Sequence, residues 1–186
     1  MKNRIQLAEH FRDLGFKFGA EIGVFDGHYS EILLKTIPDL TLYSIDPYAV
    51  YSGYRDHRFQ NSMKHAEHLA YQKLKVFPKS IIIKKFSVDA VRGFMDESLD
   101  FVFIDGNHDY PYVKEDIELW TPKVKKGGIV AGHDYYRTKT GNIGIIRAVD
   151  DYVAFNNYTL ELTDWDPDQP MEDDRQPSWY FVKNEK

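Results

Sequence analysis

The chain has 186 residues, 42% of them hydrophobic and 28% charged, which fits one globular domain (residues 1–186) long enough to bury a core. A net charge of −5 supplies no basic face for phosphates, so nucleic acid is not expected as a partner. Without cysteine, disulfides, cysteine nucleophiles and thiolate metal sites are excluded, and nothing approaches transmembrane length; a soluble cytoplasmic protein with no membrane partner is expected.

Ile5, Ala8 and Phe11, with Leu14 less regular, recur at helical spacing and predict an opening amphipathic helix. Phe18 to Val24 reads as a short buried strand that runs into a glycine-rich loop. A helix over Tyr29 to Lys35 follows, ended by Pro38, and Thr41 to Ile45 is a second strand stopped by Asp46-Pro47. Residues from Ser52 to Phe77 read as a polar helix, with His65 and His68 on its wet side. Ile81 to Ile83 with Phe86 mark a third strand, continuous enough to be covered on both faces. Leu99 to Ile104 is the fourth strand, and a helix over Tyr112 to Trp120 puts Val113, Ile117 and Trp120 on one face. Gly127-Gly128 turns the chain into a fifth strand, Ile129 to Gly132. A helix over Ile145 to Phe155, a strand near Tyr158 to Leu162, an acidic loop and a last strand at Trp179 to Val182 complete the pattern.

Strands alternating with helices predict an α/β fold: a Rossmann-like, doubly wound, seven-stranded and mostly parallel sheet. No helix separates the final two strands, so they are expected to pair antiparallel at one edge.

The most informative stretch runs from Glu21 to Ser30, where a strand leads into Gly23 and Gly27 and then a helix. Glycine lets the chain turn sharply and lets a ligand approach the backbone. The Gly-x-x-x-Gly spacing matches neither the nicotinamide fingerprint nor a P-loop, which points to a nucleoside without phosphates. Asp46, ending the second strand, can accept hydrogen bonds from both ribose hydroxyls, with Pro47 and Tyr48 as an apolar wall for the base. Taken alone, Asp46 fits a strand-ending Asp-Pro turn equally well; the glycine loop favours the ligand.

Glu-x-Gly-x-x-x-Gly-x-x-Ser followed by that acid resembles class I S-adenosylmethionine-dependent methyltransferases. Asp105-Gly-Asn-His-Asp, Trp120-Thr-Pro, Gly127-Gly-Ile-Val-Ala-Gly-His133-Asp134 and Pro177-Ser-Trp-Tyr resemble a small-molecule branch, the methyltransferase family 24 type. The resemblance implies that S-adenosylmethionine contacts Glu21, Gly23, Gly27, Ser30, Asp46, Pro47 and Tyr48, with Ser87 and Asp89 after strand three reaching the adenine. It also implies a divalent metal, Mg²⁺ or Mn²⁺, on Asp105, His133 and Asp134, with Asp105 and His108 catalytic and His108 the base. His133 stands where metal-dependent relatives carry Glu, which weakens the case for Mg²⁺. The bland reading is that Asp105 caps the following helix while His108 and His133 are ordinary loop histidines.

Tyr51, Tyr54 and Tyr135 are candidates for an acceptor pocket, and the acidic loop from Thr163 to Gln176 for its cover. The expected activity is O-methylation of a small hydroxylated acceptor, a sugar or a secondary metabolite. A metal-independent N-methyltransferase and a non-catalytic cofactor-binding module are the alternatives, and a homo-oligomer is left open.

Overall fold

The computed structural model describes residues 1–52, 60–171 and 174–184, so Tyr54, His57, Glu172 and Asp173 lie outside the described residues. Seven strands form one sheet in the order β3-β2-β1-β4-β5-β7-β6. They are β1 (Phe18–Ile22), β2 (Thr41–Ile45), β3 (Ser80–Ile83), β4 (Leu99–Ile104), β5 (Val124–Gly132), β6 (Glu161–Leu162) and β7 (Trp179–Val182). The first five run parallel to one another, and β7 runs antiparallel between β5 and β6, as expected.

Side-chain alternation along β4 shows how the two layers arise. Phe101 and Phe103 enter one core with Leu7, Ala8 and Phe11 of α1 (Arg4–Asp13) and Tyr29 and Leu33 of α2 (His28–Thr36). Val102 and Ile104 enter the other, with Val113, Ile117 and Trp120 of α5 (Tyr110–Trp120) and Ala148 and Val149 of α6 (Gly144–Asn156). All four β4 residues are buried, as period-two alternation in a covered central strand requires. A third cluster packs Met63, Ala66, Ala70 and Leu74 of α3 (Gln60–Leu74) on Val24 and Tyr48.

The Asn3 side chain caps α1 by accepting from the N–H groups of Ile5 and Gln6 at 3.0 and 3.1 Å. The last residue of the predicted first stripe, Leu14, falls past the helix end and is exposed. Within the described residues, α3 begins only at Gln60 and ends at Leu74, short of the predicted Phe77.

Three expectations about strands change. β3 is the sheet edge, not a strand covered on both faces; Ile81 is 40% exposed, and Phe86 lies beyond the strand. Gly127 and Gly128 lie inside β5 instead of before it, with the register shift against β4 falling between Leu99 and Phe101. β6 shrinks to Glu161 and Leu162 because only these two residues pair with β7. Among the described residues, no helix is long and apolar enough to cross a membrane.

Candidate functional site

The carboxyl ends of β1, β2 and β4 open on one cleft, the place where open parallel sheets hold their ligands. Gly23, Asp46, Pro47, Tyr51, Phe86, Ser87, Val88, Gly106 and Asn107 line it, and Asp116 closes it from α5. At Gly23 the backbone is left-handed, φ +86°, and a Cβ there would run into the carbonyl of Asp105. Only glycine lets the loops after β1 and β4 lie this close.

Asp46 shapes the loop as well as the cleft. Its Oδ2 accepts the N–H groups of Val24 and Phe25, both at 3.0 Å, and its Oδ1 accepts that of Tyr48 at 2.7 Å. One carboxylate thus fixes the turn after β1 and presents its edge to the cleft. These bonds are those of a strand-ending Asp-Pro turn, at a residue that also lines the cleft.

Several residues expected at the cofactor stand elsewhere. Gly27 begins α2 with φ +79°, and its missing Cβ makes room for Ala70 of α3, 3.0 Å from where that Cβ would sit. Tyr48 is buried in the α3 cluster, so the apolar wall is Pro47 with Tyr51. Asp89 is exposed, 3.5 Å from Arg92 and outside the cleft, on the short helix α4 (Ser87–Ala90).

Glu21 and Ser30 lie behind the cleft. The Ser30 hydroxyl donates to Glu21 and lies 2.9 Å from the Ser44 hydroxyl, joining α2, β1 and β2. Burial pushes the Glu21 carboxyl up to about 8, against the opposing bond from Ser30. The folded chain keeps this proton where an unfolded glutamic acid, near 4.5, has released it. Stability therefore falls as pH rises between those values. Glu21→Gln is expected to flatten that fall, read from melting temperatures between about pH 6 and pH 8. An unchanged slope in the variant would assign it to another group.

Beyond the cleft, β4 and β5 deliver a second cluster. His108 Nε2 lies 3.7 Å from Asp105 Oδ1 and 3.5 Å from Asp134 Oδ2. Atoms of Asp105, His108 and Asp134 come within 4.8 Å of one another, a set able to hold a metal ion. The expected set named His133 in place of His108. His133 is buried, its Nδ1 lies 3.1 Å from Asp134 Oδ1, and its Nε2 has no hydrogen-bond partner among the described residues. It holds Asp134, whose own backbone is left-handed at φ +56°. Asp105 does not cap α5; the capping position belongs to Asp109.

Arg4 reaches this cluster from the opposite terminus of the chain. Its Nε donates to Asp174 at 2.7 Å, and its Nη1 lies 3.4 Å from Asp105 Oδ2. The guanidinium sits over the Tyr29 ring, 5.1 Å from its centre. Burial opposes its charge, but Asp105 and Asp174 outweigh burial and hold its pKa above the ordinary value. Burial would likewise raise Asp105, yet His108, His133 and Arg4 together keep it at about 2. His28, beside the glycine loop, turns its Nε2 to Asp174 at 3.0 Å. Tyr135 donates to Asp150 at 2.6 Å.

A family model described as "Methyltransferase domain" matches residues 20–135, from β1 to just past Asp134. The chain belongs to this methyltransferase family. It carries a methyltransferase domain with the class I fold. An uncharacterised protein of Acanthamoeba polyphaga mimivirus, R132, is 29% identical over 122 residues, 62% of this chain and 50% of the viral protein. The chain thus spans about half the length of that relative. An O-methyltransferase from Bacillus cereus, solved in complex with SAH, superposes with a TM-score of 0.69 at 13% identity, over 97% of this chain and 80% of that one. An rRNA methylase from Streptococcus thermophilus superposes with a TM-score of 0.66 at 14% identity, over 99% and 98%. At such identities these two structures establish the methyltransferase fold and no more.

Two residues at these sites, Asp116 on the cleft and Arg4 beside Asp105, escaped the sequence reading, though each carried a signal. Asp116 stands on the same helical stripe as Val113, Ile117 and Trp120, and Arg4 on that of Leu7, Ala8 and Phe11. A charge inside a buried stripe demands a partner or a use.

Asp46→Ala is expected to weaken S-adenosylhomocysteine binding by about 1.5–3 kcal/mol, the worth of hydrogen bonds to a charged group. Calorimetry giving wild-type affinity would remove Asp46 from the cofactor site.

Proposed function

We propose that this chain methylates a hydroxyl group of a small molecule, using S-adenosylmethionine bound in the cleft and His108 as the general base. The observation that carries this is the convergence of Asp105, His108 and Asp134 beside that cleft. The cleft fits the cofactor: apolar walls suit a flat base, Asp46 suits ribose hydroxyls, and Gly23 keeps the backbone bare. When bound, the cofactor supplies a methyl group on a sulfonium.

The chain's own work is alignment and proton handling. His108 takes the proton from the acceptor oxygen as the new oxygen–carbon bond forms and the carbon–sulfur bond breaks. Asp105, held at about 2 by its neighbours, stays ionised and steadies the charged imidazole. Asp134, fixed by His133, does the same from the other side. A small acceptor in place of RNA accords with the net charge of −5.

A second reading is favoured by the spacing of those same donor atoms. Asp105, His108 and Asp134 would hold a divalent ion, and a mixed nitrogen and oxygen set suits Mn²⁺ better than Mg²⁺. Such an ion would supply Lewis acidity toward the acceptor oxygen.

The test is S-adenosylhomocysteine production against a panel of hydroxylated sugars and phenols. His108→Gln is expected to lower turnover by at least about 100-fold while cofactor binding holds. Turnover that survives exhaustive chelation keeps His108 as the base. Turnover lost on chelation and restored by Mn²⁺ makes it a ligand. Methylation confined to amines, or cofactor binding without turnover on any acceptor, would overturn the O-methyltransferase.

A further inference from the structure

His133 Nε2 and Ser178 Oγ are both buried, and both lack a hydrogen-bond partner among the described residues. The two residues are 2% and 0% exposed, so bulk water serves neither atom. Their places in the fold bring them together. β5 and β7 pair through Gly132 and Trp179, and one step further along the ladder His133 comes opposite Ser178. The chains still run side by side beyond that step, where the Tyr135 N–H donates to the Pro177 carbonyl at 2.9 Å. Trp179 packs where a Cβ of Gly132 would stand, on the α5 and α6 face. His133 and Ser178 therefore turn to the opposite face, where the His133 ring meets that of Phe103, 6.3 Å between centres. Residues directly opposite in an antiparallel pair hold their Cβ atoms about 5 Å apart. A hydroxyl at that spacing serves an imidazole directly or through one water.

The two atoms are chemically complementary. His133 Nδ1 lies 3.1 Å from Asp134 Oδ1, and a carboxylate oxygen accepts, so hydrogen belongs on Nδ1. Which ring nitrogen carries hydrogen depends on the bond made by the other. The bare Nε2 is then an acceptor without a donor, and the Ser178 hydroxyl is a donor without an acceptor. Neither backbone is free to carry its side chain away. The His133 N–H donates to the Ile104 carbonyl at 3.1 Å. The Ser178 N–H donates to Thr163 Oγ1 at 2.8 Å, and the Ser178 carbonyl accepts the Thr163 N–H at 2.9 Å.

We propose that Ser178 is a positioning residue for the base, its hydroxyl donating to His133 Nε2 directly or through one buried water. That bond keeps hydrogen on Nδ1, Nδ1 holds Asp134 by Oδ1, and Asp134 keeps its Oδ2 3.5 Å from His108 Nε2. The opposite tautomer would set a bare Nδ1 against a carboxylate, and Asp134 would turn away from His108. Ser178, wholly buried, acts only through His133 and Asp134. The proposal rests on reading His108 as the general base.

The experiment is nitrogen-15 NMR of the whole chain labelled at histidine, in wild type and in Ser178→Ala. Wild type is expected to show His133 with hydrogen on Nδ1 and with Nε2 at the shift of a hydrogen-bonded acceptor. In Ser178→Ala that signal should move to the position of an unbonded nitrogen, or hydrogen should pass to Nε2. Hydrogen on Nε2 in wild type overturns the proposal, as does a His133 signal indifferent to Ser178→Ala. Should the variant not fold, the wild-type spectrum still decides: an Nε2 that carries hydrogen, or stands at an unbonded shift, overturns the relay. On an acceptor that turns over in the panel above, Ser178→Ala is expected to lower kcat about 3- to 10-fold while KM for S-adenosylmethionine holds. His133→Leu should lose about 10- to 100-fold. His133→Asn, which keeps an N–H where Nδ1 stands, should recover part of that loss; equal losses in the two variants overturn the relay. If His108→Gln turns over normally, the base reading fails and the proposal with it. If turnover depends on His108 and the spectrum ignores Ser178, the proposal alone fails.

Discussion

Arg4→Met is expected to cost about 3–5 kcal/mol of stability, the penalty for stranding buried charges by removing their partner. Methionine roughly preserves length and apolar contact with Tyr29 but leaves Asp105 and Asp174 without the guanidinium that now lies between them. The same side chain joins the start of α1 to the segment preceding β7, so its loss loosens that join as well. Arg4→Lys should recover only part of the loss, because one ammonium point charge cannot fork toward two carboxylates. Denaturant unfolding of the three proteins measures both steps. A loss for Arg4→Met below about 1 kcal/mol would show that the two carboxylates are solvated without it.

Gly23→Val should be at least as damaging, and for a different reason. Its left-handed backbone, φ +86°, costs a β-branched residue about 1–3 kcal/mol. Overpacking adds about 1–3 kcal/mol more, since the obstruction is the main chain of Asp105 and Gly106 and no side chain can swing aside. The loop cannot retreat easily, because the Gly23 N–H donates to the Ile45 carbonyl at 2.9 Å and the Asp105 N–H to the Ile22 carbonyl at 2.7 Å. Low soluble yield, an early melt and no retention of S-adenosylhomocysteine are the expected results. A variant that melts with wild type and binds the nucleoside normally would show that the loop after β4 can move away.

Gly27 makes the contrast with Gly23 plain. In the sequence the two are equivalent members of one Gly-x-x-x-Gly pattern. In the fold one borders the cleft and the other lets α2 pack on α3. Spacing along a chain shows where the backbone must be bare; it does not show which neighbour demands it.

The sequence by itself determined the sheet and the edge of it where the strand-ending acids gather. Periodicity placed the strands and most helices, and the absence of a final helix set β7 antiparallel, because these depend on local pattern and chain connectivity. It also placed Asp46, Asp105, His108 and Asp134 at carboxyl ends of strands, which a parallel sheet gathers on one edge. Tertiary structure alone decided that Tyr48 packs under α3, that Asp89 faces water and that Asp116 faces the cleft. It alone exchanged His133 for His108 among the converging groups and brought Arg4 to Asp174 across the whole length of the chain. Those outcomes depend on the direction each side chain takes and on partners distant in sequence, and local pattern carries neither.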